Sequence, residues 1–208
     1  MKKHIAILDP FPRTLKLIFS KDKFKTLKSN YNLIYAPKKN KKNFYDKNIQ
    51  KASFIIGQPD LPKELLIKAK KLKAIINVES NFMNNMDYQY CFKKGIHVIA
   101  TSPVFSKPVA EIALGMTLSL LRNIHTAHSD FIKGKEKYGL ESNLNASLLS
   151  GKKIGLLGFG DLAKSLYPLL LPFSKDINVY DPWIPKLNIQ KLGFKSISLN
   201  KMFESCEV

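Results

Sequence analysis

The stretch Lys152-Lys153-Ile154-Gly155-Leu156-Leu157-Gly158-Phe159-Gly160-Asp161-Leu162-Ala163 reads as an apolar strand, a glycine turn and the opening of a helix. The strand occupies Lys152 to Gly160 with its apolar part at Ile154 to Leu157, and the helix runs from Asp161 to Leu171. A second strand, Ile177 to Asp181, completes a βαβ unit. In the G-x-G-x-x-A motif, Gly158 permits a tight turn, Gly160 lets a pyrophosphate approach the backbone, and Ala163 is small enough for close strand-to-helix packing. The first N–H groups of the helix supply donors and partial positive charge, so phosphate binding here needs no basic side chain. Asp181 follows Gly160 by 21 residues at the end of the second strand. A carboxylate there accepts hydrogen bonds from adenosine ribose hydroxyls and repels a 2′-phosphate, which predicts NAD over NADP. The competing reading is a glycine turn in an ordinary α/β protein followed by a chance acid.

Upstream, short β-rich runs alternate with helical stretches. His4 to Leu8, Leu33 to Ala36, Ser53 to Ile56, Ala74 to Asn77 and Val98 to Ala100 read as strands, with Pro12 to Leu27, Pro62 to Lys71 and Asp87 to Lys94 as crossovers. Gly95 fits the C-cap of the last crossover. This alternation predicts an α/β protein with a parallel sheet. The pattern changes at Thr101-Ser102-Pro103, which puts a domain boundary there: residues 1–102, then 103–208. A single long helix is expected from Ser106 to Lys133, roughly 40 Å at 1.5 Å per residue. Its apolar stretch Val109 to Leu121 faces nearly every direction, so it should be buried between two domains, two subunits or both. A polar connector, Gly134 to Ser150, links it to the βαβ unit.

The 208 residues carry 34 basic and 16 acidic groups, a net charge of +18, with 45% apolar and 24% charged residues. That composition is globular, and the charge raises a nucleic-acid surface as a possibility. Only Arg13 and Arg122 are arginines, whereas base reading and planar phosphate clamping favour the arginine fork. The run Lys38-Lys39-Asn40-Lys41-Lys42 has no interleaved aromatics and is read as a solvated loop, so no nucleic-acid partner is expected. Val109 to Leu121 is too short to span a bilayer, and no membrane partner is expected. Two distant cysteines, Cys91 and Cys206, and no secretory leader imply a reducing, cytoplasmic setting. Among the histidines, His4 and His97 open strands, while His125 and His128 lie three apart on a helix without a third ligand, so no metal site is expected.

Beyond the glycine loop, the order and spacing of Leu72-Lys73-Ala74-Ile75, Asp87, Lys94-Gly95-Ile96-His97-Val98, Ser102-Pro103, Val109-Ala110-Glu111, Arg122, Leu149-Ser150-Gly151-Lys152 and Tyr180-Asp181-Pro182 resemble the NAD-dependent D-isomer-specific 2-hydroxyacid dehydrogenases. The resemblance covers residues 70–208; the first 70 agree only in αβ pattern. It implies a flavodoxin-like substrate domain over residues 1–102 and the first half of a Rossmann NAD-binding domain over 103–208. It further implies homodimerisation through the 106–133 helix. Asp161 and Leu162 would line the pyrophosphate through their backbone, and Asp181 would hold the ribose. A substrate-carboxylate loop maps onto Asn77 to Asn84, so that Ser80, Asn81 and Phe82 would face a small 2-hydroxy or 2-oxo acid. Here Ser80 and Phe82 replace the family's glycines. The family's substrate arginine and its acid-base histidine and glutamate lie beyond Val208, so no catalytic residue is assigned in this chain, and the 208 residues alone are expected to be inactive.

Overall fold

The computed structural model describes residues 3–79 and 82–208. The chain divides into two compact units, Met1–Ser102 and Pro103–Val208. In the first, the order is β1 (Ile5–Asp9), α1 (Leu15–Ile18), α2 (Lys21–Asn30), β2 (Asn32–Tyr35), α3 (Lys41–Asn48), β3 (Phe54–Gly57), α4 (Lys63–Lys68), β4 (Ala74–Ile76), α5 (Tyr88–Lys93) and β5 (His97–Ile99). Among the described residues these strands form one parallel sheet in the order β2-β1-β3-β4-β5. Each strand lies within one residue of its sequence-based bounds, because β-branched and apolar runs bounded by turn residues leave little latitude. The core contains Ile7, Ile55 and Ile75 from the sheet and Tyr45, Ile49, Leu65, Leu66 and Cys91 from the crossovers. Asp87 caps α5 by accepting from Tyr90 N at 2.8 Å. Gly95 ends that turn at φ +69°, as expected of a C-cap glycine.

Two expectations for the first unit are corrected. The helix read across Pro12 to Leu27 is broken at Phe19, and Ser20 caps a new helix at Lys21. The lysine run is not all loop, since Lys41 opens α3 and its ammonium lies 2.6 Å from the buried carboxylate of Asp9. The Lys/Asn-rich composition of α3 hides its single inward stripe, whose fully packed members are Tyr45 and, just beyond the helix, Ile49.

The second unit begins with α6 (Ser102–Leu121), α7 (Ile124–Ile132) and α8 (Gly139–Asn143). It continues with β6 (Ile154–Leu157), α9 (Asp161–Leu170), β7 (Ile177–Tyr180), α10 (Lys186–Lys191), β8 (Lys195–Ser196) and α11 (Leu199–Ser205). Its parallel sheet has the order β6-β7-β8. The main chain at Glu207 and Val208 runs along the other side of β6: Glu207 N donates to Lys153 O at 2.8 Å and Gly155 N to Val208 O at 2.7 Å. Ile154, Leu156, Phe159, Leu170, Ile177, Val179 and Ile189 form the core.

The single helix expected over 106–133 is two helices. Asn123 sits in the left-handed region at φ +53°, a conformation asparagine tolerates better than most residues, and the chain restarts as α7. The helix also begins earlier, at Ser102, so that Pro108 falls inside it and removes one backbone donor. The whole of α6, at 20 residues and with an 18-residue window of mean hydropathy 1.4, is long and apolar enough to cross a membrane by length and composition only, although Val109 to Leu121 by itself is not. One stripe, Leu114, Leu118 and Leu121, packs on the core of the second unit. Another, Ile112, Met116 and Leu120, is about 60% exposed.

Candidate functional site

β6 delivers the chain to Gly158, whose φ of +91° is a conformation that L side chains rarely adopt. Gly158 N donates to Tyr180 O at 2.7 Å, which holds the turn level with the end of β7. Phe159 is fully buried, its ring 4.4 Å from that of Phe194, so the middle of the loop is anchored in the core. Gly160 then caps α9 without a side chain, and Asp161 and Leu162 begin the helix. A Cβ built on Gly158 or Gly160 meets nothing within 4 Å. The glycines therefore border open space beside a helix N-terminus whose N-cap is itself a glycine, which is the cradle a pyrophosphate fits.

Asp181 stands just past β7, and its carboxylate is tied to the loop. Oδ2 accepts from Phe159 N at 2.7 Å, while Oδ1 accepts from Trp183 N and Ile184 N, each at 2.8 Å. Burial pushes its pKa up, but those three N–H groups and the nearby Lys164 charge outweigh burial and hold the carboxyl below its ordinary value. An ionised carboxylate has about four acceptor positions, so one remains on Oδ2 for a ribose hydroxyl. The residues present thus fit a dinucleotide, with Asp181 also serving as a brace that sequence reading did not anticipate. A depressed folded-state pKa contributes stability that is present above the unfolded value and lost as pH falls through the folded one. Asp181→Asn is accordingly expected to flatten the acid limb of the second unit's unfolding curve below about pH 4, and an unchanged acid midpoint would count against the brace.

A second group of polar residues lies at the carboxyl end of the first sheet, where open α/β sheets bind ligands. Asp9 is 2% exposed, and besides Lys41 it accepts from the Tyr45 hydroxyl at 3.1 Å. Burial, with that carboxylate alongside, pushes the Tyr45 hydroxyl far above its usual range. The only sequence signal for this cluster was an acid ending a strand at Asp9-Pro10. Arg13 forms a fork with Glu79 at 3.0 and 3.1 Å. Of the loop residues singled out by sequence, Phe82 is 57% exposed with its ring edge-on to Tyr88, whereas Ser80 and Asn81 lie outside the described residues. Among the described residues no group of three or more potential ligands could hold a metal ion.

Residues 114–208 match the family described as D-isomer specific 2-hydroxyacid dehydrogenase, NAD binding domain. The chain is 30% identical over 142 residues to the hydroxypyruvate reductase of Thermotoga maritima, covering 68% of this chain and 44% of that protein. It is also 30% identical over 139 residues to the D-3-phosphoglycerate dehydrogenase of Methanocaldococcus jannaschii, covering 65% of this chain and 25% of that one. The chain therefore spans less than half the length of these curated relatives. A crystal structure of a phosphoglycerate oxidoreductase from Rhizobium etli superposes with a TM-score of 0.73 at 42% identity, covering 98% of this chain and 63% of that one. A protein from Pyrococcus horikoshii shares the fold at a TM-score of 0.81 and 21% identity, covering 100% and 61%. Glycine loop, following helix and strand-end acid all fall within the matched residues, so residues 114–208 carry an NAD-binding domain of the D-isomer specific 2-hydroxyacid dehydrogenase type, with NAD as its cofactor.

Proposed function

We propose that these 208 residues are part of an NAD-dependent oxidoreductase that exchanges a hydride between the nicotinamide cofactor and a small 2-hydroxy or 2-oxo acid. The observation that carries this reading is the open glycine cradle braced to Asp181. In this reading Gly158 and Gly160 let the pyrophosphate approach, the backbone of Asp161 and Leu162 donates to it, and Asp181 holds the ribose through its remaining acceptor position. NAD, when bound, supplies or accepts the hydride. The first unit serves as a flavodoxin-like substrate domain, a role supported by its strand order, with the loop from Asn77 to Asn84, including Ser80, Asn81 and Phe82, facing the acid. No residue of this chain is assigned the acid-base role in that reaction, and the chain alone is expected to give no steady NADH oxidation with glyoxylate or hydroxypyruvate. Turnover surviving repurification would refute that expectation.

Trp183 makes the cofactor half directly testable. It is the single tryptophan, 88% exposed, and stands two residues after Asp181. NAD is expected to change its emission saturably and to bind at least about tenfold more tightly than NADP, a difference near 1.4 kcal/mol. Asp181→Ala should narrow that gap. Absence of binding heat and of any emission change at millimolar NAD would overturn the reading for this chain.

A homodimer is proposed through the exposed stripe of α6 together with α7, in place of one continuous 106–133 helix. Leu118 faces the core of its own unit, so Leu120→Glu is the informative substitution. It is expected to shift the sedimenting species to monomer with little change in helix content, and a monomeric unmutated protein would sink the proposal. A cytoplasmic setting remains the reading supported by two free cysteines, Cys91 buried and Cys206 half-buried.

A further inference from the structure

The loop that follows β4 is held at both ends by groups from elsewhere in the first unit, a side chain at one end and main-chain groups at the other. At its start, Glu79 accepts from Arg13 Nε at 3.0 Å and from Arg13 Nη2 at 3.1 Å. Arg13 belongs to the loop after β1, and the sheet order β1-β3-β4 means that the fork crosses the carboxyl end of β3. At the far end, Asn85 Nδ2 donates to Pro59 O at 2.7 Å and Leu61 N donates to Asn85 O at 2.7 Å. The Tyr88 hydroxyl adds bonds to Met83 O and Asn85 Oδ1. Residues 80–82 are all that span the interval between the two grips. Pairing of Ile56 with Ile76 sets Gly57 level with Asn77, whose side-chain amide is wholly buried and, among the described residues, makes no hydrogen bond through either Nδ2 or Oδ1. Gln58 Oε1 is likewise buried without a partner among the described residues. Unsatisfied buried amides are unfavourable and rare, and their concentration at one sheet end points to a site built for binding rather than for packing.

We infer that Arg13 is a positioning residue, which through Glu79 holds the β4–α5 loop in place and so sets the affinity of this sheet end for a small carboxylate. The inference rests on the reading of residues 77–84 as the substrate loop. On either side of residues 80–82 the chain is anchored, at Glu79 by Arg13 and at Asn85 by Pro59 O and Leu61 N. Arginine suits the task because its planar fork meets both carboxylate oxygens at once, which the point charge of lysine does not. It is one of two arginines against 32 lysines. A part-exposed ion pair adds little to global stability, so its effect should appear in the loop and in ligand affinity and not in the unfolding temperature.

The test compares the unmutated chain with Arg13→Gln, Arg13→Lys and the exchanged pair Arg13→Glu with Glu79→Arg. Three quantities are measured: the thermal midpoint, amide exchange over residues 79–86, and calorimetric affinity for oxamate and glyoxylate in the presence of NADH. Arg13→Gln is expected to speed exchange about tenfold and weaken the anions at least fivefold with an unchanged midpoint. The exchanged pair should restore most of both losses, and Arg13→Lys less. Unchanged exchange and affinity in Arg13→Gln, or an exchanged pair no better than Arg13→Gln, overturns the inference alone. If neither anion binds the unmutated chain, the substrate-loop reading falls and the inference with it.

Discussion

Gly57→Ala is expected to destabilise the first unit by about 3 kcal/mol or more, at the upper end of what overpacking normally costs. A Cβ at Gly57 would lie 2.1 Å from the carbonyl oxygen of Asp9 and 2.7 Å from its carbonyl carbon. Those are backbone atoms of β1, the neighbour with which Gly57 is in register, so no rotamer change relieves the clash. Parting β1 from β3 would also disturb the buried Asp9 carboxylate and its bonds to Lys41 and Tyr45. Against a typical stability of about 5–15 kcal/mol, this lowers the unit's thermal midpoint by more than about 10 °C. Gly95→Ala is the control: its positive φ costs about 1 kcal/mol, and the added Cβ meets nothing within 4 Å. Calorimetric melting of both variants decides the matter, and a Gly57→Ala midpoint within about 3 °C of the unmutated protein would refute the packing argument.

Gly160→Ala should show the reverse profile. The residue has φ −80°, which alanine adopts freely, and its Cβ would meet no neighbour within 4 Å. Stability should therefore change by less than about 0.5 kcal/mol. The methyl group would instead occupy the space into which a pyrophosphate must come to reach the first N–H groups of α9. A loss of about a hundredfold in NAD affinity, near 2.7 kcal/mol, is expected. Calorimetry and Trp183 emission measure it independently. An unchanged affinity alongside an unchanged melting point would mean that the open space is not the pyrophosphate site. Gly158→Ala is the less informative variant, since its φ of +91° would add backbone strain to any loss of binding.

The glycine loop and the strand-end acid were legible because both depend on local covalent properties. A positive φ and a bare backbone require glycine wherever the loop folds, and the distance from Gly160 to Asp181 is set by one helix and one strand. The second role of Asp181 was not legible. Its carboxylate closes on Phe159 N from 22 positions away, a contact created only when β6 and β7 lie side by side. The break at Asn123 was missed for a related reason: the apolar pattern continues through Arg122-Asn123, and a left-handed residue leaves no trace in hydrophobic periodicity.

The alternation of apolar strands with crossover helices determined a parallel α/β chain, since period and turn chemistry are properties of neighbouring residues. What tertiary structure alone decided is which polar groups meet. Lys41 in a lysine-rich run turns inward to the buried Asp9, and Arg13 reaches Glu79 across an intervening strand. Of two apolar stripes on α6, one is consumed by its own unit's core. These pairings span from 32 to 66 residues for the charged groups, and they are fixed by strand order and burial, quantities that no local pattern carries.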